Sequence, residues 1–70
     1  MPRFYLHVTD GKKTYPDSTG LELANIGVAE AFARIISSDL RMHGQFDSYY
    51  VDVRDQQDNE VAKVFVFPRH

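Results

Sequence analysis

From Arg3 to Thr9 the chain alternates, with Phe4, Leu6 and Val8 on one side and Arg3, Tyr5, His7 and Thr9 on the other. A period of two is that of a strand with one buried face. Asp10-Gly11 follows, a turn dipeptide in which Gly11 takes φ > 0 at little cost. Lys12–Pro16 reads as the short return strand of a hairpin, stopped by Pro16. A second turn cluster, Asp17-Ser18-Thr19-Gly20, precedes Leu21 and Leu23, which carry the chain back to the core.

The period then changes. Ala29, Phe32, Ala33, Ile36 and Leu40 recur at intervals of three and four, the spacing of one face of an amphipathic helix. Glu30, Arg34, Ser37 and Arg41 occupy the other side, with Glu30 and Arg34 placed for an acid-first pair. Asn25 suits the N-cap, where its side-chain oxygen accepts an orphan amide hydrogen. Gly44, after Arg41 and His43, suits the C-terminal stop.

Alternation returns in Ser48–Asp55, with Tyr49, Val51 and Val53 against Tyr50, Asp52 and Arg54. Gln56–Asn59 is polar and turn-forming. Glu60–Phe67 is apolar on both sides, broken by Lys63 and ended by Pro68. The chain is thus an α+β domain of order β-β-α-β-β, a four-stranded sheet with one helix packed on one face. A strand apolar on both sides belongs in the centre of a sheet. That favours the β-grasp-like order 2-1-4-3, with 2-1-3-4 as the fully antiparallel alternative. In the favoured order, Ser48–Asp55 is an edge free to pair with a second subunit.

One helix covers one face. If Phe4, Leu6 and Val8 meet it, the other face carries Tyr5 and His7 from the first strand. The third strand adds Tyr50, Asp52 and Arg54, and the last adds Lys63, Phe65 and Phe67. An exposed aromatic face of this kind marks an interface or a ligand site.

Seventy residues make one domain, expected to run from 1 to 70. An apolar share of 43% and a charged share of 26% belong to a globular chain rather than a disordered one. Hydrophobic gain in so short a chain barely exceeds the entropy of ordering it. With no cysteine, neither a disulfide nor a thiolate zinc site reinforces it. Association is the remaining reinforcement, so the expected partner is a second copy, giving a homodimer, or another protein. A net charge of −2 argues against nucleic acid. No basic leader, and no apolar run of the ~20 residues that a bilayer requires, stands in the chain. The expected setting is the cytoplasm.

Met1-Pro2-Arg3-Phe4-Tyr5-Leu6-His7-Val8, the Asp10-Gly11 turn and Asp17-x-x-Gly20-x-Glu22-Leu23 before an alanine-bearing helix form a pattern. It resembles a family of small bacterial domains of unknown function that open Met-Pro-x-aromatic-aromatic-x-His. The resemblance spans nearly the whole chain, implies no activity, and draws attention to His7, Asp10, Gly11, Gly20 and Glu22. The Ile26-Gly27 helix start departs from its pattern.

No arrangement for catalysis emerges. Imidazole is a common base and metal ligand, but His43 and His70 stand at no ligand spacing from His7. A strand histidine bonded to a neighbouring backbone or carboxylate is the simpler reading. Asp10, Asp17 and Glu22 match no calcium loop and read as turn stabilisers, as do Asp55, Asp58 and Glu60. Ser37, Ser38 and Ser48 lie in no nucleophile elbow, and the glycines form no phosphate loop. No catalytic, cofactor or metal residue is assigned. The expected function is a non-enzymatic interaction module using Tyr5, His7, Tyr50, Arg54, Lys63, Phe65 and Phe67. The alternative is a nucleic-acid binder stacking bases on the same face, against which Asp52 and the acidic balance stand.

Overall fold

The computed structural model describes residues 1–67. Pro68, expected to end the last strand, and His70 lie outside the described residues.

Strand β1, Arg3–Thr9, turns through Asp10-Gly11 into β2, Thr14–Tyr15. β3, Leu21–Glu22, then returns along the same edge of β1. The pairs are Val8 with Tyr15 and Thr9 with Thr14 in β2, and Arg3 with Glu22 and Phe4 with Leu21 in β3. The expected return strand Lys12–Pro16 is present as β2, shortened to Thr14–Tyr15, and after a loop, 16–20, the chain adds a further strand, β3, to the same edge. The reason lies in the hydrogen-bonding of the edge. Even-numbered residues of β1 and its flanks turn their main chain toward it: just beyond its ends, Asp10 donates to the Lys13 carbonyl at 3.2 Å, and the Pro2 carbonyl accepts from Leu23 at 3.0 Å. Opposite the loop, Leu6 N–H finds its acceptor in the Asp17 side chain, Oδ2 at 3.2 Å. Gly20 closes the loop at φ 75°, where a Cβ would stand 2.9 Å from the Phe4 carbonyl oxygen, so the chain approaches β1 more closely than any side chain allows.

The helix α1, Ile26–His43, has the caps expected of it. Asn25 Oδ1 accepts from Val28 N–H at 2.9 Å, and Gly44 at φ 73° donates to the Arg41 carbonyl. Glu30 and Arg34 pair at 3.0 Å. The buried face differs from the expected one. Ala29, Ala33 and Ser37 are its buried residues, Ile36 and Leu40 are half-buried, and Phe32 is 40% exposed. Small side chains four apart let the helix lie close on the sheet, and this turns Phe32 toward its flank. Ser37, expected on the solvent side, is buried and donates from Oγ to the Phe65 carbonyl at 2.9 Å.

Strands β4, Tyr50–Arg54, and β5, Glu60–Phe65, complete a five-stranded antiparallel sheet of order β2-β1-β4-β5, with β3 also on β1. The favoured order 2-1-4-3 is corrected: the third expected strand, not the last, lies beside β1, as in the 2-1-3-4 alternative. Ser48–Asp55 is accordingly no edge. Leu6 faces Val53 and Val8 faces Val51, and both β4 valines are fully buried. The arrangement makes every pairing antiparallel, the slightly stronger ladder. β5 reads as apolar on both sides because Phe65 lies exposed on the open face and a bulge turns Val61 to the core. The register shifts between Val53 and Arg54, so that Ala62 faces Val53 while Glu60 faces Arg54, leaving Val61 as the extra residue. Val61 and Ala62 both pack against the core, which is built from Phe4, Leu6, Leu23, Ala29, Ala33, Val51 and Val53.

Candidate functional site

The ladder registers fix which side chains share the face away from the helix. One row runs Tyr5, Arg54, Glu60; the next His7, Asp52, Lys63; the third Thr9, Tyr50, Phe65. Six of the seven residues expected on the interaction face, Tyr5, His7, Tyr50, Arg54, Lys63 and Phe65, stand in these rows. Phe67, beyond β5, lines a groove beside the helix with Arg34 and Arg41.

The face is less uniformly aromatic than its sequence suggests. Tyr5 and His7 stack with ring centroids 6.5 Å apart, and at the opposite corner Tyr50 and Phe65 meet at 5.5 Å. The Lys63 ammonium lies over the Tyr50 ring at 4.8 Å. Between the two aromatic pairs run charges. Arg54 donates from Nε to Asp52 Oδ2 at 3.0 Å and from a terminal nitrogen to the Asp58 carbonyl at 2.8 Å. Its hydrogen bond to Asp52, with the Coulombic attraction of that carboxylate, raises the guanidinium further above its already high value. Lys63 reaches Glu60 at 3.6 Å.

Asp52 lies at the centre. It is 9% exposed, and among the described residues its Oδ1 is buried without a hydrogen-bond partner. Such an atom is uncommon in a folded protein, because a buried acceptor left unpaired costs its desolvation. A cleft of about 440 Å³, lined by His7, Thr9, Tyr50, Asp52, Arg54 and Asp58 among others, opens above this row.

His7 is engaged toward the sheet edge. Its Nδ1 accepts the backbone N–H of Asp17 at 2.9 Å, the backbone partnership expected of a strand histidine. Of the six acids expected to stabilise turns, three do so, while Asp58 and Glu60 pair with Arg54 and Lys63. Asp10 accepts from Lys12 and Lys13, Asp17 from Thr19 and Gly20, and Asp55 from Gln57 and Asn59, all through backbone N–H groups. Glu22 instead pairs with Arg3 at 2.8 Å. Among the described residues no group of three or more histidines and acids is placed to hold a metal ion, and no helix is long and apolar enough to cross a membrane.

Two exposed features were not anticipated. Tyr15, Phe46 and Tyr49 cluster at one end, Phe46 and Tyr49 at 5.0 Å edge-to-face. Phe46 and Tyr49 share one turn, and the β2 register brings the distant Tyr15 to them. The helix also carries Ile35, 65% exposed, on its outer side.

The sequence pattern of a domain of unknown function, DUF6894, matches residues 3–68, which take in all five strands and the helix. The chain belongs to this family. No curated protein and no solved structure matches it. In this DUF6894 domain, the face built on the His7, Asp52 and Lys63 row is where charge, aromatic surface and an unpartnered buried acceptor come together.

Proposed function

We propose that this domain is a small non-catalytic interaction module that pairs with a second copy of itself through the sheet face opposite the helix. The observation that carries the reading is the make-up of that face: aromatic pairs at two corners, and both signs of charge between them. A twofold interface brings each patch against its own image, so it must be self-complementary. A face holding Arg54 and Lys63 beside Asp52, Asp58 and Glu60 can set cations of one copy against anions of the other. Phe65, 54% exposed, supplies apolar area to cover. Pairing would also enlarge a core that is small for an independent fold.

Nucleic acid is the weaker reading. Base-stacking platforms sit in a positive field, whereas here acids flank Arg54 and Lys63.

The test is a mixture of isotope-labelled and unlabelled protein, observed through nuclear Overhauser effects between copies. The reading expects contacts between the rings of Tyr5, Tyr50 or Phe65 of one copy and this same face of the other. Contacts confined to the helix flank would overturn it.

A further inference from the structure

We propose that the groove between α1 and β5 is a docking site for an extended acidic peptide segment, which adds to the outer edge of β5 as a further strand. The proposal stands independently of self-pairing through the open face.

The main chain is the first support. Val66 donates to the Tyr49 carbonyl at 3.0 Å, and the pairs above it are Tyr50 with Phe65, Val51 with Val64 and Asp52 with Lys63. Hydrogen-bonded pairs alternate along an antiparallel ladder. Val66 and Val64 therefore turn their N–H and C=O toward β4, while Lys63 and Phe65 turn theirs outward. The Ser37 hydroxyl already meets the outward Phe65 carbonyl at 2.9 Å, which fixes that direction independently. Lys63 N–H, Lys63 C=O and Phe65 N–H remain for an added strand. A strand joined at such an edge gains affinity from the main chain and specificity from alternate side chains.

The groove beside this edge holds about 270 Å³ and is lined by Arg34, Ser37, Arg41, Val64 and Phe67 among others. Its floor is apolar and its charges are all positive. Arg34 shares its guanidinium with Glu30 on the same helix, and Arg41 has no ion pair among the described residues. This selects the occupant. A second copy docked edge to edge about a twofold axis would bring its own Arg34 and Arg41 against these two, like charge against like. A segment alternating acidic and apolar residues instead places its acids on the helix side, at the arginines, and its apolar side chains on the opposite side, beside Phe65 and Phe67.

The test uses the whole chain and a blocked peptide alternating glutamate and valine, with a lysine–valine peptide as control. Binding is followed by amide NMR and hydrogen exchange. With the glutamate peptide, the Lys63 and Phe65 amides should become protected by about tenfold or more, the mark of a newly bonded strand. Arg41→Glu should weaken binding about twofold to fivefold, the range for an exposed charge contact. Lys63→Pro removes an outward N–H while sparing the ladder to β4, and should lose the peptide with circular dichroism unchanged. Equal binding of the lysine peptide, no binding of the glutamate peptide, or protection of the same amides in a peptide-free dimer would each overturn the proposal.

Discussion

Asp17 donates its backbone N–H to Nδ1 of His7 at 2.9 Å while its carboxylate accepts from the neighbouring strand residue, Leu6, at 3.2 Å. One loop residue thus replaces the strand partners that β1 lacks between β2 and β3. His7 is held through Nδ1 as an acceptor toward this loop.

Asp17→Asn should therefore destabilise the fold by about 1–3 kcal/mol. The carboxylate accepts three N–H groups with two oxygens, and an amide offers one oxygen and turns donors toward the other site. Urea unfolding measures the loss. A variant as stable as wild type would mean that Leu6 N–H is satisfied elsewhere.

Acid should find the same group. Burial alone would raise the Asp17 carboxyl, but N–H donors from Gly20, Leu6 and Thr19, with His7 nearby, hold it below the ordinary 3.8. Asp10 is lowered by Lys13 and Lys12 N–H, and Asp55 first by Asn59 N–H. A carboxyl lowered on folding adds stability that is complete above its unfolded value and lost as pH falls through its folded one. Urea midpoints should thus fall as pH drops below about 4, and less steeply in Asp17→Asn. Parallel slopes in the two proteins would contradict this.

Two glycines make an internal comparison. Gly11 and Gly20 both have positive φ, but a Cβ on Gly11 meets open space while one on Gly20 meets backbone. Gly11→Ala should cost about 1 kcal/mol, from left-handed strain alone. Gly20→Ala should cost clearly more, about 2 kcal/mol or above, because the strands must also part. Thermal unfolding of the pair decides it, and equal losses would mean that the loop moves freely away from β1.

Much of this was legible. The turn at Gly11, the caps at Asn25 and Gly44, and the shared face of Tyr5, His7, Tyr50, Arg54, Lys63 and Phe65 follow from period and turn chemistry, which are local. The strand order was not legible, because the bulge at Val61 makes an edge strand look doubly buried and the Asp52–Arg54 pair makes a central strand look half-exposed. The helix rotation was misread at Phe32 and Ser37 because the closeness of approach is set by Ala29 and Ala33 against β4 and β5, not by hydrophobicity alone. The groove of Arg34, Arg41 and Phe67 joins residues from two elements and carries no signal in either.

Sedimentation equilibrium of wild type, Phe65→Asp and Ile35→Asp over a concentration series decides whether the domain pairs through the open sheet face. Wild type and Ile35→Asp should show twice the chain mass and Phe65→Asp a folded monomer, since a carboxylate at the corner beside Tyr50 is stranded when the faces meet. A wild type monomeric at every concentration would contradict it, as would a dimer that survives Phe65→Asp and dissociates with Ile35→Asp.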